Sequence, residues 1–368
     1  MTKVLILTHR FIYGGIEKLL LDVFTKKHSP SIQYDLLTLI SEKDDALIER
    51  LKTYGVQYYS LELDKYSPLK RQFVHYKSLY SFIKSNNYDV VHINITSYAR
   101  ALDMLVVKLA GVKKRIIHSH SADKDNSFWR IISHIKKLYD YTATDFLACS
   151  DNAAKHLFSK RIYDTKRYVI INNGIDICKY QYSDDDRNQT REKLGLRDST
   201  LLVGHVGRFT KAKNHEFLLE VFSKICRAYP DSKLLLIGDG ELNREIKEKI
   251  ASLKIEDKVI LYGSSSDVSS MLSAIDIFIF PSIYEGFGLS VIEAECNGLP
   301  CYISENVPKS AMVTSNVRQF DLSNGAQWWA DSILKENNNR VDEVEMIRSA
   351  GFDIDSTVRQ LERIYTEE

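Results

Sequence analysis

The sequence predicts an α/β protein of two domains, each a parallel sheet covered on both faces by helices. Three observations predict it. Short apolar runs alternate with helical stretches along the whole chain, the pattern of βα units and of strands buried on both faces. At 368 residues the chain is too long for one ordinary core. The alternation also breaks once, in the polar stretch Ile177–Ser199, and then restarts with a new apolar strand.

In order, the first half offers strands at Lys3–Thr8, Tyr34–Ile40, Asp89–Ile93, Arg115–His118, Asp145–Cys149 and Tyr168–Ile171. Ile177–Ser199, with Asp184-Asp185-Asp186 inside it, reads as a linker. The second half offers Leu201–Val206, Lys233–Ile237, Lys258–Tyr262, Asp276–Phe280 and Pro300–Ile303. The tail Asp355–Tyr365 carries Val358, Leu361 and Ile364 at near-helical spacing. Ser127–Tyr139 reads as an amphipathic helix. Phe128, Ile131, Ile132, Ile135 and Leu138 share one face and Arg130, Lys136 and Lys137 lie off it, a pattern that fits its own core or a membrane interface.

Composition is that of a soluble globular protein, 44% apolar and 27% charged. The N-terminus reads as a first strand without a signal-peptide core, and no run has the length of a membrane span. Five cysteines without a CxxC pair fit a reducing cytoplasm and argue against zinc or a disulfide scaffold. The net charge of +1 hides an asymmetry. Residues 1–180 carry 28 Lys and Arg against 18 Asp and Glu, and the remainder carries 22 against 31. The asymmetry reads either as an anionic partner for the first half or as a chance imbalance of surface charge. Nucleic acid is not expected, because no basic helix or aromatic-basic module is present.

The motif with most chemistry is Tyr284-Glu285-Gly286-Phe287-Gly288-Leu289-Ser290-Val291-Ile292-Glu293, which follows the Asp276–Phe280 strand. A glycine-bearing loop between strand and helix lets backbone N–H groups approach an anion, and two carboxylates can accept hydrogen bonds from hydroxyls. That combination suits a nucleotide sugar. Gly207-Arg208 and Lys213 follow the first strand of the second half; two cations there can clamp a diphosphate, although in isolation they read equally as solvated side chains. Gly238-Asp239-Gly240 ends the next strand as a tight turn. Gly14-Gly15 follows the first strand of the chain, ahead of Glu17 and an apolar helix. His118-Ser119-His120 ends a strand, as a substrate contact or as structural histidines; a metal would need a third ligand that the sequence does not offer.

Taken in order, these signals resemble the retaining GT-B glycosyltransferases of glycosyltransferase family four, over nearly the whole chain. Glu285 and Glu293 look like that family's EX7E signature, and Gly207-Arg208 with Lys213 like its diphosphate clamp. Gly14-Gly15, Asp89-Val90-Val91-His92, His118-Ser119-His120 and Asn173-Gly174-Ile175-Asp176 recur at the family's places. The tail from Phe352 to Tyr365 looks like its helix that crosses back to the first domain. The similarity is greatest to bacterial enzymes that build capsular or exopolysaccharide repeat units.

The resemblance implies a GT-B fold, two Rossmann-like domains with parallel sheets facing across a cleft that closes on the donor. Residues 1–176 and about 353–368 would bind the acceptor, 177–199 would link, and 200–352 would bind the donor. It implies that Glu293 binds the ribose hydroxyls and that Glu285 contacts the donor sugar. The backbone of Gly286, Phe287, Gly288 and Leu289 would lie near sugar and phosphate. Arg208 and Lys213 would hold the diphosphate, with Gly207, Gly238 and Gly14-Gly15 close to it and Gly263 to Val268 around the base. His120 would be the active-site histidine, with His118 the alternative. No metal and no cofactor beyond the donor, most readily a UDP-sugar, is implied. The acceptor would be a glycan or a lipid-diphosphate-linked sugar, met at an anionic inner-membrane surface by the basic first domain. Two other readings are a GT-B nucleotide-sugar epimerase and a catalytically silent nucleotide-sugar-binding subunit.

Overall fold

The structure, a computed structural model, describes residues 1–12, 15–95, 100–120, 133–265 and 267–367, apart from the side chains of Leu69, Ser133 and His134. It divides into two compact units, Met1–Gly174 with Ile354–Glu368, and Ile175–Asp353. The first holds a seven-stranded sheet: β1 (Thr2–Thr8), β2 (Ile32–Thr38), β3 (Gln57–Ser60), β4 (Val90–Ile95), β5 (Lys114–Ser119), β6 (Asp145–Ala148) and β7 (Val169–Ile170). Its spatial order is β3-β2-β1-β4-β5-β6-β7. The second holds β8 (Leu201–Val206), β9 (Ser232–Ile237), β10 (Val259–Gly263), β11 (Ile277–Phe280), β12 (Cys301–Ser304) and β13 (Val317–Phe320), in the order β10-β9-β8-β11-β12-β13. Every pairing in both sheets is parallel.

Strand alternation builds two cores per unit. In β1, Leu5 and Leu7 enter one cluster with Val91 and Ile93. Val4 and Ile6 enter the other with Tyr34, Val90 and Ile116. The last helix, Ile354–Thr366, completes that second cluster with Ile354, Val358, Leu361 and Tyr365. Its Tyr365 hydroxyl lies 2.7 Å from His92 Nδ1, and Glu362 accepts the backbone N–H groups of His28 and Ser29 at 2.9 and 3.0 Å. Gly174 explains the Asn-Gly pair before it: a Cβ there would lie 2.7 Å from Ile354 Cα.

Two expectations are corrected. Residues 177–199 are not a linker but part of the second unit. Helix Ile177–Tyr180 buries Ile177 and Tyr180. In the next helix, Asp184–Lys193, Ser183 caps the start and the three aspartates occupy the first turn, where the helix dipole favours them. The segment looked like a linker because its main anchor is polar. Arg191, 1% exposed, donates to the carbonyls of Ala274, Arg197, Asp198 and Thr200 and to the Asp276 carboxylate. The stretch Ser127–Tyr139 is likewise not one regular helix: Ser133–Leu138 is 3₁₀ and Tyr139–Thr142 α-helical, while 127–132, with Phe128, Ile131 and Ile132, lie outside the described residues.

Buried imidazoles make the fold acid-sensitive. Burial depresses His92 and His120 to about 3, and His118 well below its ordinary value, in the first unit. It depresses His215 to about 4 and His205 well below the ordinary value in the second. Unfolded histidine titrates near 6.5, so below that pH the unfolded chain takes up protons that the folded chain refuses, and stability falls. Glu17 and Glu295, both raised to about 7 by burial, work the other way between 7 and their unfolded value. The histidines outnumber them in each unit. We expect urea midpoints to be flat above about pH 7 and to fall below pH 6.5, at up to about 1.4 kcal/mol per net proton and pH unit. Urea titrations followed by circular dichroism at pH 7.5 and 5.5 check this, and equal midpoints would contradict it.

Candidate active site

Strand order in the second sheet reverses between β8 and β11, and the chain leaves both strands at their C-terminal ends. Such reversals open a crevice because the following loops depart in opposite directions. The loop after β8 carries Gly207, Arg208 and, in a 3₁₀ turn at Lys211–Lys213, Lys213. The loop after β11 carries Ser282 and Glu285. Lys213 Nζ meets Glu285 Oε2 at 2.5 Å, with the two side chains 18% and 14% exposed. The ammonium also sits 4.5 Å from the centre of the Phe280 ring, a favourable cation–π placement. Backbone and side-chain bonds tie the loops together. Ile283 N–H donates to the Ala212 carbonyl at 2.8 Å, and Asn214 Nδ2 donates to the Pro281 carbonyl at 3.1 Å. Beneath them, the Ser304 hydroxyl donates to the Ser282 carbonyl at 2.5 Å.

Arg208 is exposed and makes no ion pair among the described residues, and it leaves β8 in the same loop that carries Lys213. His205 on β8 and His215 behind the loop are buried and kept neutral by burial, with the Lys213 charge adding to the effect. The positive charge of the site therefore rests on Arg208 and Lys213.

The neighbouring loops complete the rim. Gly238 follows β9 at φ +145°, and its N–H donates to the Gly263 carbonyl at the end of β10 (2.9 Å). A Cβ on Gly238 would lie 2.1 Å from the Gly207 carbonyl oxygen, so only glycine lets these strand ends approach. Gly288 at φ +95° turns the chain into the helix Leu289–Cys296. Glu293 lies within that helix and is 4% exposed. Phe287 packs on Phe352, while Gly286 and Leu289 are half-buried at the start of the helix. The structure thus brings Gly207, Arg208, Lys213, Gly238, Gly263, Glu285, Gly286, Phe287, Gly288 and Leu289 to the C-terminal ends of four adjacent strands, β10, β9, β8 and β11, while Glu293 lies more than a turn further on, buried in the helix.

In the first unit, His120 follows β5. Its Nε2 is 2.7 Å from Asn94 Oδ1, which makes Nε2–H the donor. His118 is 1% exposed, and neither of its ring nitrogens has a hydrogen-bond partner among the described residues. The rings of His118 and His120 lie 4.0 Å apart. His120, partly open, is the better placed of the two to meet a ligand. Gly15 opens the helix Gly15–Thr25 and is exposed, while Gly14 lies outside the described residues.

Sequence reading did not single out Asn214, which holds φ +56° at the turn that orients Lys213, or Asn94. A polar residue at the end of the apolar strand Val90–Ile95 was the available signal for Asn94.

Two family profiles match the chain. Glycosyltransferase Family 4 covers residues 13–179 and Glycosyl transferases group 1 covers 186–350, together about nine tenths of its length. The chain is 25% identical over 338 residues to an Escherichia coli UDP-Gal:alpha-D-GlcNAc-diphosphoundecaprenol alpha-1,3-galactosyltransferase (90% of this chain, 86% of the relative). It is 24% identical to the capsular polysaccharide biosynthesis glycosyltransferase CapH of Staphylococcus aureus, covering 99% of both chains. The crystal structure of Anabaena HepE with UDP-glucose superposes with a TM-score of 0.78 at 19% identity over 99% of both chains. The shared fold is GT-B.

Replacing Gly238 with alanine forces either the Gly207 carbonyl or the turn itself to move. We expect Gly238→Ala to lose about 1–3 kcal/mol or more, whereas Gly15→Ala, whose added Cβ meets nothing within 4 Å, keeps the wild-type melting temperature. Differential scanning calorimetry of both variants decides, and equal melting of the two would refute the close approach.

Proposed function

Because this chain belongs to the GT-B glycosyltransferases of the family-four type, we propose that it acts in surface polysaccharide synthesis, moving a hexose-type sugar from a UDP-sugar to a glycan or lipid-diphosphate-linked acceptor with retention of configuration. One observation carries the reading: the Lys213–Glu285 pair and the open Arg208 flank the strand reversal of the second sheet. Two of the similar proteins support it, since one is a UDP-galactose transferase with a GlcNAc-diphosphoundecaprenol acceptor and one fold neighbour was solved with UDP-glucose.

In this reading the donor diphosphate lies at the turn of Gly207 and Gly238, where close backbone and two cations meet it. The bond between the anomeric carbon and the phosphate oxygen breaks, and its electron pair goes to the leaving phosphate. Arg208 and Lys213 take up the charge that builds there; held in place beforehand, they need no reorganisation at the moment of transfer. The acceptor hydroxyl forms the new bond on the face that the phosphate leaves, and its proton passes to a phosphate oxygen. Glu285 positions Lys213 in the free protein and turns to the sugar hydroxyls when the diphosphate draws the ammonium away. Glu293 receives the ribose hydroxyls.

The first unit supplies a surface for an anionic lipid face. It carries 29 Lys and Arg against 21 Asp and Glu. No acidic residue occurs between Asp64 and Asp89. On the helix Pro68–Asn86, the exposed side chains Phe73, Lys77, Tyr80 and Lys84 recur every three or four residues and so form one stripe. Next to it, the helix Ala101–Leu109 exposes Leu109, and Lys108 donates to the Tyr141 carbonyl, drawing exposed Tyr141 alongside. Protruding aromatics among lysines match the boundary between headgroups and acyl chains. Among the described residues no helix is long and apolar enough to cross a membrane.

Two measurements test these proposals. With excess UDP in EDTA, thermal unfolding should shift by about 2.7 kcal/mol at a hundredfold excess over Kd, more than with GDP or ADP, and Arg208→Ala should lose both the shift and about 10²–10³ in kcat. The absence of a shift with every nucleotide would remove the donor assignment. In flotation, the protein should rise with phosphatidylglycerol vesicles at low salt and stay behind with phosphatidylcholine. Phe73→Ser combined with Lys77→Glu should abolish flotation, and equal recovery of that variant would discard this face.

A further inference from the structure

Behind the loop that carries Arg208 and Lys213 lie two imidazoles that the proposed transfer leaves unused. His205 belongs to β8 and His215 opens the helix His215–Ala228; they are 0% and 2% exposed. Their rings meet edge to face with centres 4.8 Å apart. His205 Nδ1 lies 2.9 Å from the Ile279 carbonyl oxygen, so Nδ1 carries the hydrogen and Nε2 is a bare acceptor. Neither that Nε2 nor either ring nitrogen of His215 has a hydrogen-bond partner among the described residues. Native interiors match nearly all such groups, and each exception calls for a reason. Packing does not supply one. The Phe209 ring lies 4.7 Å from His215 and the Phe280 ring 5.3 Å from His205, so this bed is aromatic and further phenylalanines would fill it without burying polar nitrogen.

The pair adjoins the donor turn. A Cβ on Gly207 would lie 3.0 Å from His205 Nε2 and 3.4 Å from Lys213 Cδ and Cε, so the ring, the turn and the lysine stem meet at one point. The Lys213 charge bears on both rings and, after burial, helps to keep them neutral in the free protein. Among the other ionisable side chains of the surrounding elements, Arg208 shares the loop and Glu285 meets Lys213 from the loop after β11. Glu216 on the helix is held by Lys249, and Asp239 after β9 is held by Asn243. The free site therefore sets Arg208 and Lys213 against Glu285, one net positive charge. A nucleoside-diphosphate sugar brings two negative charges and leaves one in excess. Uncompensated charge in a shielded place is costly, and a proton removes it. The unmatched imidazoles can hold that proton.

We propose that His205 and His215 together take up one proton from water when the nucleotide sugar binds, balancing the charge that the diphosphate brings to the Gly207 turn. The inference rests on the donor reading of this site and adds a proton to its binding stoichiometry. Protonated His215 donates at both nitrogens, and the bare Nε2 of the adjoining His205 ring is an acceptor for the pair's extra hydrogen. The two residues touch neither sugar nor phosphate. They are positioning residues that act through the Lys213 stem and the Gly207 turn.

Isothermal titration calorimetry with UDP-glucose and UDP-galactose, whose diphosphates do not titrate near neutrality, counts the proton. At pH 6.0, in buffers of different ionisation enthalpy, the apparent heat should follow the buffer with a slope of about one proton taken up per donor bound. Uptake strengthens binding as pH falls, so Kd should rise several-fold, up to about tenfold, between pH 6 and 7. His215→Gln keeps a neutral polar side chain that cannot hold the proton. It should still bind the donor, with the buffer-dependent heat lost and the pH dependence flattened; a residue that only packs would change Kd and leave the proton count as it was. Buffer-independent heat in the wild-type protein overturns the proposal and leaves the donor reading standing. So does an uptake that survives in His215→Gln and vanishes in Glu285→Gln. Failure of both sugar nucleotides to bind overturns the donor reading and the proposal together. Should His215→Gln not fold, His205→Asn, whose amide can keep the donation to the Ile279 carbonyl, carries the same test.

Discussion

A parallel sheet whose strand order reverses cannot cover its own C-terminal edge at the reversal, and both units are organised around that gap. Right-handed crossovers carry the chain to opposite faces on either side of it, so the loops that follow the two central strands diverge. In the second unit the gap is bridged by charge: Lys213 from one loop and Glu285 from the other, braced by Asn214 and Ser304. In the first it remains a cavity whose polar groups are only partly matched. One topological constraint therefore leaves an opening in each unit, closed over by an ion pair in the second and walled by the paired Arg10 and Arg100 in the first.

The second unit keeps this edge in place with buried and half-buried cations remote from it. Arg191 and Arg187 converge on Asp276 just ahead of β11, and Asp276 in turn accepts the Leu202 N–H of β8. Arg340 gathers the carbonyls of Leu272, Ser273, Ile275 and Asn297, and the Asn297 side chain as well. Guanidinium groups suit this work because their five donors fan out in a plane and satisfy carbonyls that no helix or strand completes. The central strands β8 and β11 are thus aligned from the end opposite the site.

Much of this was legible in the chain. Strands with continuous apolar runs, such as Leu201–Val206 and Ile277–Phe280, announce themselves because both faces of a parallel sheet are buried. The loop from Glu285 to Glu293 is legible for a different reason, since few uses other than anion and hydroxyl binding need two glycines between two carboxylates at a helix start. What escaped was short or polar. The edge strands Gln57–Ser60 and Val317–Phe320 are paired on one side only, so half-buried polar residues suffice and no apolar run forms. Arg191 holds a helix inward through carbonyls scattered over distant sequence, which no local pattern records. Asn94 is informative only once β4 and β5 are placed side by side.

The last helix sets a timetable for synthesis. Ile354, Val358, Leu361 and Tyr365 belong to the same core as Val4, Ile6 and Tyr34, yet they leave the ribosome about 180 residues after Gly174. At about 5–20 residues per second that interval lasts from roughly ten to forty seconds. Throughout it the second unit can close, since its whole sequence, Ile175 to Asp353, is contiguous. The first unit cannot, because one face of its sheet waits for those four side chains. The half of the protein made first is the half finished last, and a chain interrupted before Ile354 presents to chaperones and proteases the apolar side chains that this helix covers.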